Sequence, residues 1–421
     1  MAQDFYKGCY GAKATASEIR EWIKTSLIRN IERRNAGLPP CSVNIWGPPG
    51  FGKTSIVKSL ANDQIEMSGQ SQAIRVIDIP LAQIEETGDL LGFPVEQVLV
   101  EKLFDSNGNV LPQSEKEWIK AADSVISRYI QDGWELTTLS RTTYAPPAWV
   151  PKEECPGILL FDDANRASQR IMKSLMQLIQ DGKTISWELP KGWMVVFTGN
   201  PDNRYNQVTS MDTAQLSRMK HITLEADAKE WAIWAQENNI DKRGVNFVLR
   251  YPEMIVGKER TNPRSLTEFF YSLKNYPDLS GKNSFHLCMI EANASLDEET
   301  VTVLGTFLVR DTELVIDPEM ILDNIEKAEK LVKELMNKSE PRIDIISVTM
   351  DRLVAYLLSK DYEFKESHIE NFRRWMLSEI IPKDLIFSTM SRIANSGWKY
   401  CRKFIVGKEL LDLVLDLFKK D

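Results

Sequence analysis

Residues 47–54 carry a pattern that binds phosphate groups. They read Gly-Pro-Pro-Gly-Phe-Gly-Lys-Thr. The glycines let backbone N–H groups wrap around phosphate oxygens, the lysine reaches the β and γ oxygens, and the threonine hydroxyl is a ligand for Mg²⁺. The pattern is a P-loop and predicts a site for ATP with Mg²⁺. The residues predicted to bind the nucleotide here are Gly47, Pro48, Pro49, Gly50, Phe51, Gly52, Lys53, Thr54 and Ser55.

Two consecutive carboxylates, Asp162 and Asp163, follow the hydrophobic run Ile-Leu-Leu-Phe. A P-loop site needs a second Mg²⁺-directed carboxylate at the end of a neighbouring strand. Thr54 and Asp162 are therefore the predicted metal ligands. Asp163 would face the γ-phosphate and orient or deprotonate the attacking water. A second interpretation is that Asp163 caps a helix predicted to begin at residue 164.

The elements that position these residues follow from hydrophobic periodicity. A helix is predicted over residues 17–34, with Ser17 as its N-cap, and residues 184–193 are hairpin-like. Short apolar runs with helical segments between them predict a parallel α/β sheet. The predicted strands are residues 42–46, 73–79, 157–161 and 193–197.

The chain from about residue 224 onward has an almost entirely helical pattern. Within residues 318–336 the apolar positions recur at 4-3-4-3 spacing, which predicts a packing face or, alternatively, a coiled-coil contact with a partner. These positions are Ile321, Ile325, Ala328, Val332 and Leu335.

Three segments resemble AAA+ ATPases: the P-loop, Leu-Phe-Asp-Asp-Ala-Asn-Arg-Ala at 160–167, and Thr-Gly-Asn-Pro-Asp at 198–202. Within that family the chain is most similar to the MoxR group. The supporting segments are Gly-Asp-Leu-Leu-Gly at 88–92, Leu-Ser-Arg-Met at 216–219 and Asn-Pro-Arg-Ser at 262–265. The resemblance covers roughly residues 15–280.

The resemblance implies roles for three further residues beside the P-loop. Asn200 corresponds to the sensor-1 residue that holds the attacking water, although an Asn before proline also forms turns. Arg218 resembles the arginine finger that enters the neighbouring subunit's site, with Arg166 and Arg204 as rivals. Arg264 resembles the sensor-2 arginine of the lid; the alternative is an ordinary surface arginine.

The resemblance also implies an architecture and an activity. It implies an AAA+ α/β core over residues 1–223 with an insertion at about 93–148, a helical lid over 224–282 and a helical C-terminal domain over 283–421. It implies a homo-oligomer, usually a hexamer, that hydrolyses ATP to ADP and phosphate. The expected work is to remodel or activate a client protein, for which a von Willebrand A type domain is the partner class suggested.

Two features depart from the family pattern. The usual Asp-Glu pair is Asp162-Asp163, and one methylene fewer retracts the carboxylate by about 1.5 Å. An ATP-dependent assembly scaffold with little hydrolysis is therefore an alternative function. The second departure is the insertion. Its aromatics Trp118, Tyr129 and Trp134 either pack against their own domain or touch a substrate in a ring's pore.

The composition and charge of the chain bear on three kinds of partner: nucleic acids, metal ions and membranes. The 421 residues carry a net charge of -8, so nucleic acid is an unlikely partner, and a nucleic-acid-directed AAA+ motor is kept only as an alternative. A preference for GTP also stays open, since nothing in the P-loop reads the base. The five cysteines lack metal-binding spacing and are expected to be reduced thiols. No apolar run is long enough for a membrane span or signal peptide, so a cytoplasmic location without a membrane partner is expected.

Overall fold

The computed structural model describes most of the chain. The described residues are 6, 8–67, 69–104, 110–202, 208–209, 211–256, 259–310, 315–337, 341–359, 364–407 and 410. Arg204, one of the rivals for the arginine finger, lies outside the described residues.

The strands are numbered along the chain. They are β1 (Ala12–Ala14), β2 (Ser42–Trp46), β3 (Gln64–Met67), β4 (Gln70–Ala73), β5 (Arg75–Pro80), β6 (Phe93–Phe104), β7 (Val110–Lys120), β8 (Glu135–Ala145), β9 (Gly157–Asp162), β10 (Trp193–Gly199) and β11 (Met219–Leu224).

Six of these strands form one parallel sheet in the order β1-β11-β2-β10-β9-β5. The four consecutive strands from β2 to the edge strand β5, namely β2, β10, β9 and β5, match the strands predicted from the apolar runs. The short edge strand β1 and its neighbour β11 were not predicted. The predicted α/β class with a parallel sheet between helices is confirmed.

Both faces of the sheet are buried, which explains why its strands read as continuous apolar runs. Ile158 and Leu160 point to the face covered by the helix Ala16–Asn35. Leu159 and Phe161 point to the opposite face, covered by the helices of residues 169–181. The alternation follows from the two-residue period of a strand.

The helix Ala16–Asn35 begins one residue before the predicted start, and its cap differs from the prediction. Thr15 is the N-cap, and its N–H donates to Glu18 Oε2 at 2.9 Å. Ser17 lies inside the first turn, and its hydroxyl donates to the Glu230 carboxylate instead. The prediction of Ser17 as N-cap is therefore wrong, because a carboxylate from a distant helix binds its hydroxyl.

The insertion at residues 93–148 contains a three-stranded antiparallel sheet in the order β7-β6-β8, and β3 pairs with β4 in a separate antiparallel hairpin. The helix Asp123–Gln131 contacts β7 and β8. Leu99, Val100 and Ile119 are buried within the insertion. The two ends of the insertion are neighbours, because Phe93 pairs with Ala145.

The remaining helices and turns have the following bounds. The helices are Lys53–Ser59, Gly88–Leu91, Gln169–Ser174, Met176–Asp181, Thr213–Leu216, Ala228–Glu237, Lys242–Arg250, Pro263–Leu273, Lys282–Ser295, Glu298–Arg310, Pro318–Asp323, Ile325–Met336, Ile343–Ser359, Glu366–Met376, Lys383–Asn395 and Cys401–Ile405. The 3₁₀ turns are Leu60–Asn62, Leu81–Gln83, Ala164–Arg166 and Pro252–Met254. Among the described residues, no helix is both long and apolar enough to cross a membrane.

One hydrophobic cluster runs through the helical region from Ala228 to Leu410. The five apolar positions predicted over residues 318–336 all lie in it, although the helix is interrupted at Asn324. The cluster also crosses the predicted boundary between lid and C-terminal domain, since the rings of Phe247 and Phe307 lie 5.6 Å apart. The domain boundaries at 223/224 and 282/283 stay predictions.

Candidate nucleotide site

The P-loop joins the end of β2 to the helix Lys53–Ser59, as predicted. Gly50 and Gly52 have φ angles of 81° and 88°, in the left-handed region that favours glycine. A Cβ on Gly50 would also lie 2.3 Å from Asn262 Oδ1. The loop therefore depends on its glycines both for its turn and for its close approach to the helix Pro263–Leu273.

Lys53 is buried at the centre of the site, with 6% of its surface exposed. Its ammonium donates to Gly47 O at 2.7 Å, Pro48 O at 3.0 Å and Asn200 Oδ1 at 2.9 Å. Burial lowers the pKa of Lys53 to about 8, although the negative charges of Asp163 and Asp162 act in the opposite direction. The negative charge of a bound phosphate would stabilise the buried positive charge of Lys53 further.

The predicted metal ligands lie together. Thr54 Oγ1 donates to Asp162 Oδ1 at 2.7 Å, and Thr198 Oγ1 donates to the same oxygen at 2.5 Å. A hydroxyl and a carboxylate are the oxygen ligands that Mg²⁺ prefers, and Mg²⁺ sites beside phosphates use few protein ligands. Thr54 and Asp162 therefore fit a Mg²⁺ ion that is also held by nucleotide phosphates.

Asp163 adopts a left-handed backbone conformation, with φ 52° and ψ 43°. Such a conformation is uncommon for a residue other than glycine, and Asp and Asn adopt it more often than other residues do. The Asp163 N–H donates to Thr198 Oγ1 at 2.9 Å, and Asn200 Nδ2 donates to Asp163 Oδ1 at 2.7 Å. Asp163 holds the N-cap position of the 3₁₀ turn Ala164–Arg166 but makes no side-chain capping bond to it. The next helix, Gln169–Ser174, is capped by Ser168, whose hydroxyl accepts from Ile171 N at 3.3 Å.

The strand order explains how these residues meet. Strand β10 lies between β2 and β9 in the sheet. The P-loop follows β2, the two acids end β9, and Thr198 and Asn200 end β10, all at the carboxyl edge where parallel sheets bind ligands. Lys53 and Asp163 are thus bridged by the Asn200 side chain from the strand between them.

Thr198 and Asn165 were missed as individual site residues in the sequence. Thr198 contacts the Asp162 carboxylate and the main-chain N–H of Asp163, and Asn165 exchanges two hydrogen bonds with the main chain of Asn200. Both lie inside the segments that carry the AAA+ resemblance. The sequence shows that Thr198 and Asn165 are neighbours of motif residues, but it does not show which residues they contact.

The N-terminal segment lies beside the P-loop, which the sequence did not indicate. The ring of Tyr6 stands edge-on to Phe51 with 6.4 Å between centroids, and Tyr10 lies 5.2 Å from the ring of Trp46. Trp46 is the last residue of β2, so these contacts cover the start of the loop.

Arg264 lies at the start of the helix Pro263–Leu273, next to the P-loop. Its N–H contacts Gly50 O at 3.1 Å, and its positive charge acts to lower the pKa of Lys53. The side chain is exposed. Arg264 is thus close to the site of its own chain.

Arg218 is positioned differently. Its side chain is exposed and donates to Gln180 Oε1 at 3.2 Å and to Ala214 O at 2.5 Å. These partners belong neither to the P-loop nor to the acidic pair. Its rival Arg166 lies in its own chain's site, with Nε 3.8 Å from Asp163 Oδ2.

The aromatic residues of the insertion pack within it. Tyr129 and Trp134 are 5.6 Å apart in an edge-on arrangement, and the guanidinium of Arg141 lies 4.3 Å from the ring centroid of Trp118. These contacts agree with the packing interpretation of the insertion aromatics.

Comparisons with known proteins give distant similarities only. No protein-family model and no curated protein matches the sequence. Among solved structures, the RuvB Holliday junction branch migration motor of Thermotoga maritima is 16% identical, with 77% of this chain and 86% of that chain covered and a TM-score of 0.30. A point mutant of that RuvB is 15% identical, with 78% and 87% covered and a TM-score of 0.31.

A closed-state structure of Hsp104 with ATPγS and FITC casein is also similar. It is 14% identical, with 57% of this chain and 38% of that chain covered and a TM-score of 0.29. Similarities at these identities and TM-scores carry no conclusion about family, activity or partner. The assignment of function therefore depends on the geometry of this chain.

Proposed function

We propose that the protein is an AAA+ ATPase of MoxR type, which hydrolyses ATP in a ring and uses the energy to remodel or activate a client protein. The observation that carries the proposal is the bridge formed by Asn200, whose side chain contacts both Lys53 and Asp163. A phosphate-binding lysine and a candidate base are thereby held at opposite sides of one polar amide, at the mouth of a P-loop.

The P-loop would hold the triphosphate. Its backbone N–H groups would contact the phosphate oxygens, and Lys53 would exchange its bonds to Gly47 O, Pro48 O and Asn200 for bonds to the β and γ oxygens. When bound through Thr54 and Asp162, Mg²⁺ would supply positive charge that offsets the charge of the phosphates.

Hydrolysis requires an oriented water molecule opposite the β–γ bridging oxygen. Asn200 would hold this water, and Asp163 would accept its proton as the water oxygen bonds to the γ-phosphorus. The bond from the γ-phosphorus to the bridging oxygen breaks, and ADP and phosphate leave. Arg264 would contact the γ-phosphate from the lid.

The short side chain of Asp163 raises the alternative of an assembly scaffold. Asp163 Oδ1 nevertheless lies 2.7 Å from Asn200 Nδ2, so the carboxylate reaches the residue proposed to hold the water. This contact favours hydrolysis over a purely structural use of ATP.

The exposed Arg218 would complete the site of a neighbouring subunit in a ring, the hexamer expected from the family resemblance. In that role its guanidinium would offset charge on the transferred phosphoryl group in trans. Changes at the junction between subunits would then move the helical region against a client. The client suggested by the family resemblance carries a von Willebrand A type domain.

Mg²⁺-dependent ATP turnover tests the proposal, measured together with the mass of the assembly with and without ATP. Lys53→Ala should abolish turnover. Lys58→Ala alters an exposed lysine of the same helix and should leave turnover unchanged. A wild-type protein that binds ATP and forms rings without turnover would make the scaffold the correct function.

A further inference from the structure

The side chain of Asn165 is almost completely enclosed, with 2% of its surface exposed. Its Nδ2 donates to Asn200 O at 2.7 Å, and its Oδ1 accepts from Asn200 N at 3.0 Å. A single side chain thus satisfies both main-chain polar groups of Asn200.

Asn200 needs such a partner because of its position. Strand β10 ends at Gly199, and Asn200 is followed by Pro201. Buried main-chain groups beyond the end of a strand must find partners elsewhere, or folding loses the free energy of their hydration. Asn165 provides both partners. One donated and one accepted hydrogen bond hold the main chain of Asn200 in position.

The placement of Asn200 matters because its side chain faces two different groups. Lys53 can only donate and an ionised Asp163 can only accept, so only one orientation of the Asn200 amide satisfies both. A displacement of the Asn200 main chain would weaken the contact with one or both of these residues.

Asn165 also contacts the segment that leads toward Arg218. Its main-chain oxygen accepts from Thr209 N at 2.7 Å. Asn165, in the turn after Asp163, therefore holds two other segments. Its side chain bonds to Asn200 at the end of β10, and its main chain bonds to Thr209.

We infer that Asn165 is a positioning residue of the nucleotide site, holding the main chain of Asn200 so that the Asn200 amide spans the gap between Lys53 and Asp163. The inference rests on the proposed function, because the consequence for turnover presumes that Asn200 holds the attacking water. The hydrogen bonds of the Asn165 side chain described above go to Asn200, and neither goes to Lys53 or Asp163.

Two substitutions separate the bonds. Asn165→Asp keeps the acceptor for Asn200 N and removes the donor to Asn200 O. Asn165→Leu removes both at similar size. Both should lower kcat roughly 100-fold, the cost of a misplacement of about 1 Å, and leave KM within about threefold.

The chain offers a matched control in Asn30, which is fully buried. Asn30 Nδ2 donates to Trp193 O at 2.9 Å, and Asn30 Oδ1 accepts from Cys41 N at 2.8 Å. Asn30 thus also donates to one main-chain oxygen and accepts from one main-chain N–H, and the oxygen belongs to Trp193 at the opposite end of β10. Asn30→Leu should lower stability to a similar degree and leave kcat unchanged.

Hydrogen exchange at the Asn200 amide gives a readout that is independent of catalysis. In the full-length protein, Asn165→Leu should raise its exchange rate at least about tenfold, because the amide loses its acceptor. Asn165→Asp should keep the amide protected, and Asn30→Leu should not change its exchange.

The two experiments together decide the inference. A loss of kcat with faster exchange in Asn165→Leu, absent from Asn30→Leu, is the expected result. Unchanged kcat, unchanged exchange, or equal loss of kcat in Asn30→Leu overturns it. If the wild type shows no turnover that Lys53→Ala abolishes, the proposed function fails, and the exchange rates alone show whether Asn165 holds Asn200.

Discussion

At the scale of single residues, the side chains of the site satisfy one another. Lys53 contacts Asn200, Asn200 contacts Asp163, and Thr54 contacts Asp162. Nucleotide binding must exchange some of these bonds for bonds to phosphate, so the site is polar and preorganised before the ligand arrives. Burial in this site also lowers the pKa of Lys53, so its charge depends on pH.

The stability of the nucleotide-free protein should therefore depend on Lys53 and pH. Burial lowers the Lys53 pKa from 10.5 to about 8, so the folded chain releases this proton near pH 8 and the unfolded chain near pH 10.5. Between these values the unfolded state binds more protons, and the free energy of unfolding rises with pH. We expect it to rise by about 1 kcal/mol per pH unit relative to Lys53→Met.

Chemical denaturation of both proteins from pH 7 to pH 10 measures this difference. Lys58→Met, which alters an exposed lysine of the same helix, is the control and should track the wild type. A constant difference between wild type and Lys53→Met across the range would show that Lys53 keeps its proton in the folded state.

Thr198→Val tests the hydroxyl that contacts the Asp162 carboxylate and the Asp163 main chain. The substitution preserves shape but removes the donor to Asp162 Oδ1 and the acceptor for Asp163 N. Loss of such an orienting contact costs about 10- to 100-fold in metal affinity or activity. We expect a higher Mg²⁺ concentration for half-maximal turnover and a lower kcat. Unchanged Mg²⁺ dependence would mean that Asp162 does not depend on Thr198 for its orientation.

Sequence reasoning identified the site residues whose chemistry is encoded in a local pattern. The P-loop residues and the two acids are of this kind. Thr198 and Asn165 acquire their roles from contacts across 35 or 36 positions of the chain. Such contacts depend on the strand order, with β10 between β2 and β9, and no local pattern specifies that order.

At the scale of elements, the predicted strands are those with long apolar runs buried on both faces. β1 is only three residues, Ala-Lys-Ala, and β11 mixes polar Lys220, His221 and Thr223 with apolar residues, so neither gave a clear signal. The strands of the insertion were missed for a related reason, since nearly every residue of β8 is at least partly exposed.

The insertion should be dispensable for ATP turnover. Its described contacts are mainly internal, and its ends meet where Phe93 pairs with Ala145. Replacing residues 94–144 with a short Gly-Ser linker should keep kcat within about threefold and the unfolding temperature within about 4 °C, the shift expected for a change of about 1 kcal/mol.

Thermal unfolding and ATP turnover of the shortened protein measure this. Substitution of Trp118 alone in the full chain provides a comparison, because its contact with Arg141 lies within the insertion. A shortened protein that no longer binds ATP would show that the insertion supports the core.

At the scale of the whole molecule, the subunits of the proposed ring would complete one another's sites. Arg218 is exposed and held by Gln180 and Ala214, whereas Asp163 lies with the P-loop of its own chain. Arg218→Ala and Asp163→Asn should each lose turnover alone. A co-assembled equal mixture should regain it, because about a quarter of the sites in a random ring join an intact Asp163 to an intact Arg218.

Turnover of the mixture is compared with the mean of the two separate proteins. Arg166→Ala mixed with Asp163→Asn is the matched control and should show no gain, since Arg166 lies beside Asp163 in the same chain. Equal turnover in the mixture and the separate proteins would place Arg218 outside the catalytic site.

The most direct test of the central claim is the rate of phosphate release from Mg²⁺-ATP by the wild type, Asp163→Asn and Asp163→Glu, each with its ATP affinity measured. The account predicts turnover by the wild type and a fall of roughly 100-fold or more in Asp163→Asn at unchanged affinity, as expected for loss of a general base. A wild type that binds ATP but releases no phosphate, with release gained only in Asp163→Glu, would contradict it.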